Sequence, residues 1–210
     1  MQKKRGAQYF LFGIIIAAAL ALSFAFDKSI IRFLDSFRSY YLSEFFFGIK
    51  FLDNEILVVV LITLLLVLRG EKRKWILPAW MTVFFTGVIV FALKILVHRQ
   101  RPFVQGAVSL LPGIANSPGY HTWDFSFPSF DSALVFCLIP VVWKFFPRFR
   151  WIWIAFSVLV ALSRVYFGVH FMSDIISGAV IGFVIGALVV KLEKEKKFGE
   201  RIYNKIFGKK

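Results

Sequence analysis

Apolar residues along this chain gather into six long blocks, at residues 9–26, 55–68, 75–97, 130–146, 151–167 and 171–192, with charge confined mostly to the gaps between them. Most blocks run to the roughly 17–25 residues that carry a helix across ~30 Å of hydrocarbon. The pattern predicts an all-α, polytopic membrane protein with six transmembrane helices. The second block is short from charge to charge, and its span is expected to begin earlier, near Phe51. Residues 26–54 mix aromatic and charged positions without a full apolar span. They predict short interfacial helices along the outer surface, with Tyr40 and Tyr41 in the headgroup zone. No internal repeat appears, so residues 1–192 read as one domain and 193–210 as a basic tail.

Composition agrees with a membrane setting: the chain is 59% hydrophobic and holds 27 Phe, with a mean hydropathy of +0.73. That is too apolar for an ordinary soluble domain. The single Cys137 lies in an apolar run, which excludes an intrachain disulfide and points to packing. The first block follows Lys3, Lys4 and Arg5, and Ser23-Phe24-Ala25 is a passable cleavage site. Its ~18 apolar residues exceed the usual length of a signal peptide's apolar region, so a retained anchor is expected.

The formal charge of +14 raises the question of nucleic acid. Its distribution answers otherwise. The ends and loops at residues 3–5, 69–74, 144–150 and 191–210 hold 18 Lys and Arg against four acids, and the remaining eight cations meet eight acids. The whole excess lies on one side, which the loop-charge rule makes cytoplasmic. Both termini are then inside, and the 97–127 loop and the 168–171 turn face out. The Lys-rich tail reads as a topology anchor touching anionic inner-leaflet lipid, with no nucleic-acid partner.

Three polar clusters fall on the outer side. The first is Lys94-x6-Arg101-Pro102. If the third helix continues, Lys94 and Arg101 stand nearly above one another, two turns apart. Pro102 then ends the helix or fixes the turn after it. The second is Ser126-Phe127-Pro128-Ser129-Phe130-Asp131-Ser132. It opens the fourth block and offers both a helix cap and the N–H groups of an anion site. The third runs from Ser163-Arg164 to His170 and Asp174. Charges placed near lipid are a functional-site signal. His170 and Asp174 share one helical face, and with Arg164 nearby they suit the handling of a phosphate.

Together these clusters resemble the type 2 phosphatidic acid phosphatase (PAP2) family, the lipid branch of the acid phosphatase and vanadium haloperoxidase superfamily. The resemblance covers residues 94–174. Lys-x6-Arg-Pro is intact as Lys94, Arg101 and Pro102; Ser-Arg-x5-His-x3-Asp is intact as Ser163, Arg164, His170 and Asp174. It implies a six-span bundle that removes phosphate from a lipid at the extracytoplasmic face of a bacterial inner (plasma) membrane. By the resemblance, His170 is the nucleophile and forms a phosphohistidine, and Asp174 orients it. Lys94, Arg101, Arg164, Ser129 and the Phe130 backbone cradle the phosphoryl oxygens, with Pro102, Pro128 and Ser163 in support. The chemistry is consistent with that assignment. Neutral imidazole is a competent nucleophile near pH 7, and phosphoryl transfer needs mainly positioning and charge stabilisation. No cofactor or metal is expected.

The family's middle motif, Pro-Ser-Gly-His, reads Pro128-Ser129-Phe130-Asp131 here. Asp131 thus stands where the family's general acid stands. Three cations close by keep such a carboxylate ionised and a poor acid at pH 7. Three consequences are open: a leaving group that needs little protonation, as in a diphosphate; a substitute acid at His98 or His121; or a weakly active, lipid-phosphate-binding protein. Phe130 replaces a glycine that permits close backbone approach to phosphate. These points favour undecaprenyl diphosphate as substrate. Phosphatidylglycerophosphate, phosphatidic acid, the 1-phosphate of lipid A and phosphotransfer to another lipid are the alternatives.

Overall fold

The computed structural model describes residues 2–115 and 125–208, and among them every regular element is helical. In chain order these are α1 (Gln2–Asp35), α2 (Tyr40–Leu52), α3 (Glu55–Leu68), a 3₁₀ turn (Gly70–Trp75), α4 (Ile76–Val97), α5 (Pro112–Ala115), α6 (Phe130–Cys137), α7 (Ile139–Phe145), α8 (Arg150–Tyr166), α9 (Met172–Lys196) and α10 (Phe198–Phe207). The all-α expectation therefore holds.

Three helical stretches are long and apolar enough to cross a bilayer: Gly13–Asp35, Lys72–Val97 and Met172–Lys196. A fourth exists if α2 and α3, bent by 58° at Asp53 and Asn54, count as one broken span. The other two predicted spans are shorter or interrupted. α8 has 17 residues, and the fourth apolar block is split into α6 and α7 at Leu138. Pro140 explains the split, because it lacks an N–H and its ring crowds the carbonyl one turn back.

α1 departs from the sequence expectation by running on past Phe26 to Asp35. The polar residues there include no Gly or Pro, and Asp27 is buried in a polar contact rather than exposed at a helix end. Of the interfacial helices expected over 26–54, only α2 is a separate element, and Tyr40 and Tyr41 near its start are exposed. Many large apolar side chains also face outward, among them Phe84, Phe91, Leu96, Trp151 and Ile152. This outward apolar face is what a lipid-embedded bundle requires, since hydrocarbon replaces water around it.

α6 and α9 pack backbone to backbone. The reason is a glycine at every fourth position of α9: a Cβ on Gly178, Gly182 or Gly186 would fall on the carbonyl oxygen of Ser129, Ala133 or Cys137 respectively. Residues four apart share one helix face, so the three glycines form a groove that receives α6. This contact positions the site, because it presses the start of α6 against the start of α9. The Ser129 N–H donates to the Asp174 carbonyl at 3.1 Å.

Gly182→Ala is expected to lower the melting temperature of the detergent-solubilised protein, because the new methyl group pushes two helices apart. Gly48→Ala is the matched control: nothing lies within 4 Å of its Cβ position. That change should be neutral or stabilising by about 0.5–1 kcal/mol through lost backbone freedom. Thermal melts of both variants check the pair.

Candidate active site

α8 delivers Arg164 near its C-terminus, and the chain then turns sharply before α9. Gly168 makes that turn at φ 81°, where a Cβ would also crowd the Arg38 side chain and the Ser109 carbonyl. Val169 and His170 both donate their N–H to the Arg164 carbonyl, at 3.1 and 3.3 Å. This folds His170 back over the end of α8. Its side chain is only 2% exposed.

Arg101 meets His170 from another part of the chain. α4 stops where the third apolar block stops, so the conditional continuation to Arg101 is not made. It ends at Val97, and His98 takes a left-handed conformation at φ 50° with its N–H on the Lys94 carbonyl. The chain therefore leaves the helix before Pro102. Arg101 reaches the site from the loop after α4 instead of from a shared helix face with Lys94. Its guanidinium donates to the Val169 carbonyl at 2.9 Å and lies 3.2 Å from His170 Nε2.

An arginine can only donate hydrogen bonds, so His170 Nε2 is an acceptor and the ring proton belongs on Nδ1. Nδ1 lies 3.4 Å from Ser126 Oγ and 3.6 Å from Asp174 Oδ2. Burial first, and the Arg101 charge second, push the imidazole pKa down to about 4. The ring is neutral at pH 7, with the Nε2 lone pair on the side of Arg101.

Asp174 is fully buried and richly bonded. Its Oδ2 accepts from the Phe171 N–H at 2.8 Å and from the Ser126 hydroxyl. Its Oδ1 accepts from Arg99 Nη1 at 2.7 Å. The other end of the Arg99 fork donates to Asp27 Oδ2 at 2.6 Å. Asp27 is held in turn by the Ser173 N–H at 3.0 Å and by the Ser173 hydroxyl.

Arg164 lies between two carboxylates. It pairs with Asp53 at the α2–α3 bend, and its Nε lies 3.2 Å from Asp131 Oδ2. Lys94 donates to the Phe125 carbonyl. Lys94, Arg101, Arg164, His170 and Asp131 all line one cavity of about 1270 Å³. Its further walls are Lys50, Asp53 and Asn54 at the bend, Leu57 and Val60 on α3, and Gly87, Val90 and Phe91 on α4.

The middle cluster divides. Asp131 and Phe130 line the cavity, and a Cβ at Gly87 would lie 3.7 Å from the Phe130 ring. The ring thus reaches α4 across a position with no side chain. Ser129 does not line the cavity. It caps α6, and its hydroxyl accepts from the Ser132 hydroxyl at 3.2 Å and the Ser132 N–H at 3.5 Å. Ser163 is buried, with its hydroxyl on the Val160 carbonyl, and Pro102 and Pro128 are buried nearby. His98 is exposed, with its ring 4.3 Å from that of Phe125, and it is not part of the cavity wall. His121 lies outside the described residues. Among the described residues no group of three His, Cys, Asp or Glu could hold a metal ion.

The sequence reading missed Arg99, Asp27, Asp53 and Lys50. A usable signal existed for the two acids. Each borders a long apolar run, where a carboxylate demands a partner. The pairing itself spans from α1 to the loop after α4, and no local spacing encodes that.

A buried histidine and cations converge on a cavity whose other walls include apolar side chains of α3 and α4, in a chain built to sit in lipid. Residues 74–198 match the PAP2 superfamily, and the chain belongs to that family of membrane lipid phosphatases. Phosphatidylglycerophosphatase B of Bacillus subtilis (strain 168) is 30% identical over 209 residues, covering 91% of this chain and 97% of its own length. Undecaprenyl-diphosphatase BcrC of the same organism is 30% identical over 132 residues, or 62% of this chain and 64% of its own. The solved transmembrane PAP2-type phosphatidylglycerolphosphate phosphatase from Bacillus subtilis has a TM-score of 0.67 at 27% identity, covering 91% of this chain and 97% of that one.

The neutral state of His170 has a consequence for stability. The unfolded chain binds a proton on this imidazole near the ordinary value of 6.5, whereas the folded chain resists until about 4. Its contribution is therefore complete above pH 6.5 and is lost as pH falls toward 4. The wild type should lose more melting temperature between pH 7 and pH 4.5 than His170→Asn does. Paired thermal melts at the two pH values test this.

Proposed function

We propose that this protein removes the terminal phosphate from a lipid diphosphate at the extracytoplasmic face of a bacterial inner membrane, through a phosphohistidine on His170. Undecaprenyl diphosphate is the favoured substrate. The observation that carries the reading is a single cavity lined both by His170, Lys94, Arg101 and Arg164 and by the apolar residues Leu57, Val60, Val90 and Phe91 of α3 and α4. A phosphate head and a hydrocarbon chain can occupy such a space together.

His170 Nε2 attacks the terminal phosphorus, and the bond to the bridging oxygen breaks, with its electron pair leaving on the lipid phosphate. Water then attacks the phosphohistidine, the P–N bond breaks, and inorganic phosphate is released with the Nε2 lone pair restored. Lys94, Arg101 and Arg164 stabilise the charge that spreads over the phosphoryl oxygens. Asp174 supports the imidazolium formed on attack. Asp131 is ion-paired to Arg164, which makes it a poor proton donor. A lipid phosphate leaves without protonation far more readily than a lipid alkoxide does, so the diphosphate suits this site. The second phosphate would meet Lys50, a further cation lining the same cavity.

Six spans fit the charge pattern. They are α1, α2 with α3, α4, α6 with α7, α8 and α9, with both termini and the basic tail on the cytoplasmic side against anionic lipid. A second reading, phosphatidylglycerophosphate as substrate, is favoured by the near full-length likeness to the Bacillus subtilis phosphatidylglycerophosphatase B.

Phosphate release from four lipids tests the proposal: polyprenyl diphosphate, phosphatidylglycerophosphate, phosphatidic acid and lipid A. The diphosphate should be turned over fastest, and equal rates on phosphatidic acid would refute the leaving-group argument. His170→Ala should abolish both turnover and label trapped on the protein. Asp131→His restores a proton donor, so it should raise activity on the monoesters by about tenfold or more, in line with general-acid contributions. An unchanged monoester rate would count against Asp131 as the cause of the preference.

A further inference from the structure

We propose that Arg99 and Asp27 are positioning residues for the nucleophile, and that α1 is thereby part of the active site. The proposal rests on His170 as the nucleophile and goes beyond the roles implied by family resemblance. A carboxylate can orient an imidazole only if its own rotation is stopped. Asp174 Oδ2 faces His170 Nδ1 at 3.6 Å, and the opposite oxygen, Oδ1, is gripped by Arg99 at 2.7 Å. Turning the carboxylate away from His170 would break the Arg99 bond.

Arg99 is itself held by several partners. Its second Nη donates to Asp27 at 2.6 Å, and Nη1 also reaches the Ser173 hydroxyl at 2.6 Å. Its guanidinium carbon lies 4.3 Å from the Phe171 ring centre and 5.3 Å from that of Phe24 on α1. Two carboxylates and two aromatic faces leave it one orientation. Asp27 is only 3% exposed, and it anchors the far end through the Ser173 backbone N–H on α9. The run Asp27, Arg99, Asp174, His170 therefore connects α1 to the imidazole through charged contacts.

Arg99 is not part of the cavity wall, which separates it from the phosphate-binding cations Lys94, Arg101 and Arg164. A plain structural tie between α1 and α9 would not need to use the carboxylate that faces the nucleophile. Asp27 and Ser173 alone already join the two helices.

The test uses the full chain in detergent micelles, with polyprenyl diphosphate and phosphatidylglycerophosphate as probes. Arg99→Gln should lower kcat by about 10–100-fold, the usual cost of losing a group that orients a catalytic ligand. KM and the inhibition constant of inorganic phosphate should stay within about twofold, because the cradle is untouched. Arg99→Lys should recover part of the loss. Asp27→Asn keeps the side-chain shape and guards against misfolding. It should lower kcat alone but add little to Arg99→Gln, since both act through Asp174. The role is overturned if KM or phosphate inhibition weakens while kcat holds, which would make Arg99 a phosphate ligand. It is also overturned if kcat falls only in step with the folded fraction seen in melts. Absence of phosphate release by the wild type from either lipid would sink the phosphatase reading itself, and the positioning role with it.

Discussion

Bringing an ion out of water inside an apolar chain is tolerable only if its counter-ion arrives with it, and in this protein the partner almost always comes from a distant segment. Asp27 of α1 and Asp174 of α9 share Arg99 from the loop after α4. Asp53 at the α2–α3 bend and Asp131 of α6 share Arg164 of α8. Each arginine forks between two carboxylates, so each fixes three pieces of chain at once. Removing one member leaves its largely buried partner uncompensated, which is costlier than losing a surface pair. The site and the bundle are thus held by the same contacts.

That arrangement explains what was legible in the sequence. His170 and Asp174 lie one turn apart, and Arg164 lies just before them, so local spacing brought them together before any coordinates did. Arg101 was readable as a member of a motif but not as a neighbour of His170, because the left-handed His98 redirects the chain at a point with no glycine to announce it. Arg99 and Asp27 were invisible as a pair, being separated by 72 positions. The helical nature of the chain followed from its apolar blocks. The lengths did not, because hydropathy registers neither the Pro140 break within the fourth block nor the helical continuation of α1 through charged residues.

The two arginine hubs have different partners and face different tasks. Arg99 lies on the far side of Asp174 from the imidazole, and its carboxylate partners also accept hydrogen bonds from Ser173, Ser126 and the Phe171 backbone. Arg164 sits on the cavity wall, and one of its carboxylates, Asp131, lies on that wall as well. On the proposed function, a phosphate in the cavity would compete with Asp131 for the Arg164 guanidinium, whereas Arg99 does not line the cavity. In the proposed mechanism one hub is a fixed support and the other an exchangeable contact, although each is one arginine between two carboxylates.

The meeting of Phe130 with α4 changes how the altered middle motif should be viewed. The residue facing the Phe130 ring is Gly87, which offers no side chain of its own. The small residue missing at position 130 has its counterpart at position 87, where an added Cβ would meet the Phe130 ring at 3.7 Å. Restoring glycine at 130 alone would put two bare backbones across from each other and widen the cavity that His170 also lines. The two positions form one steric unit, and the pocket's width at that level is a property of their combined volume.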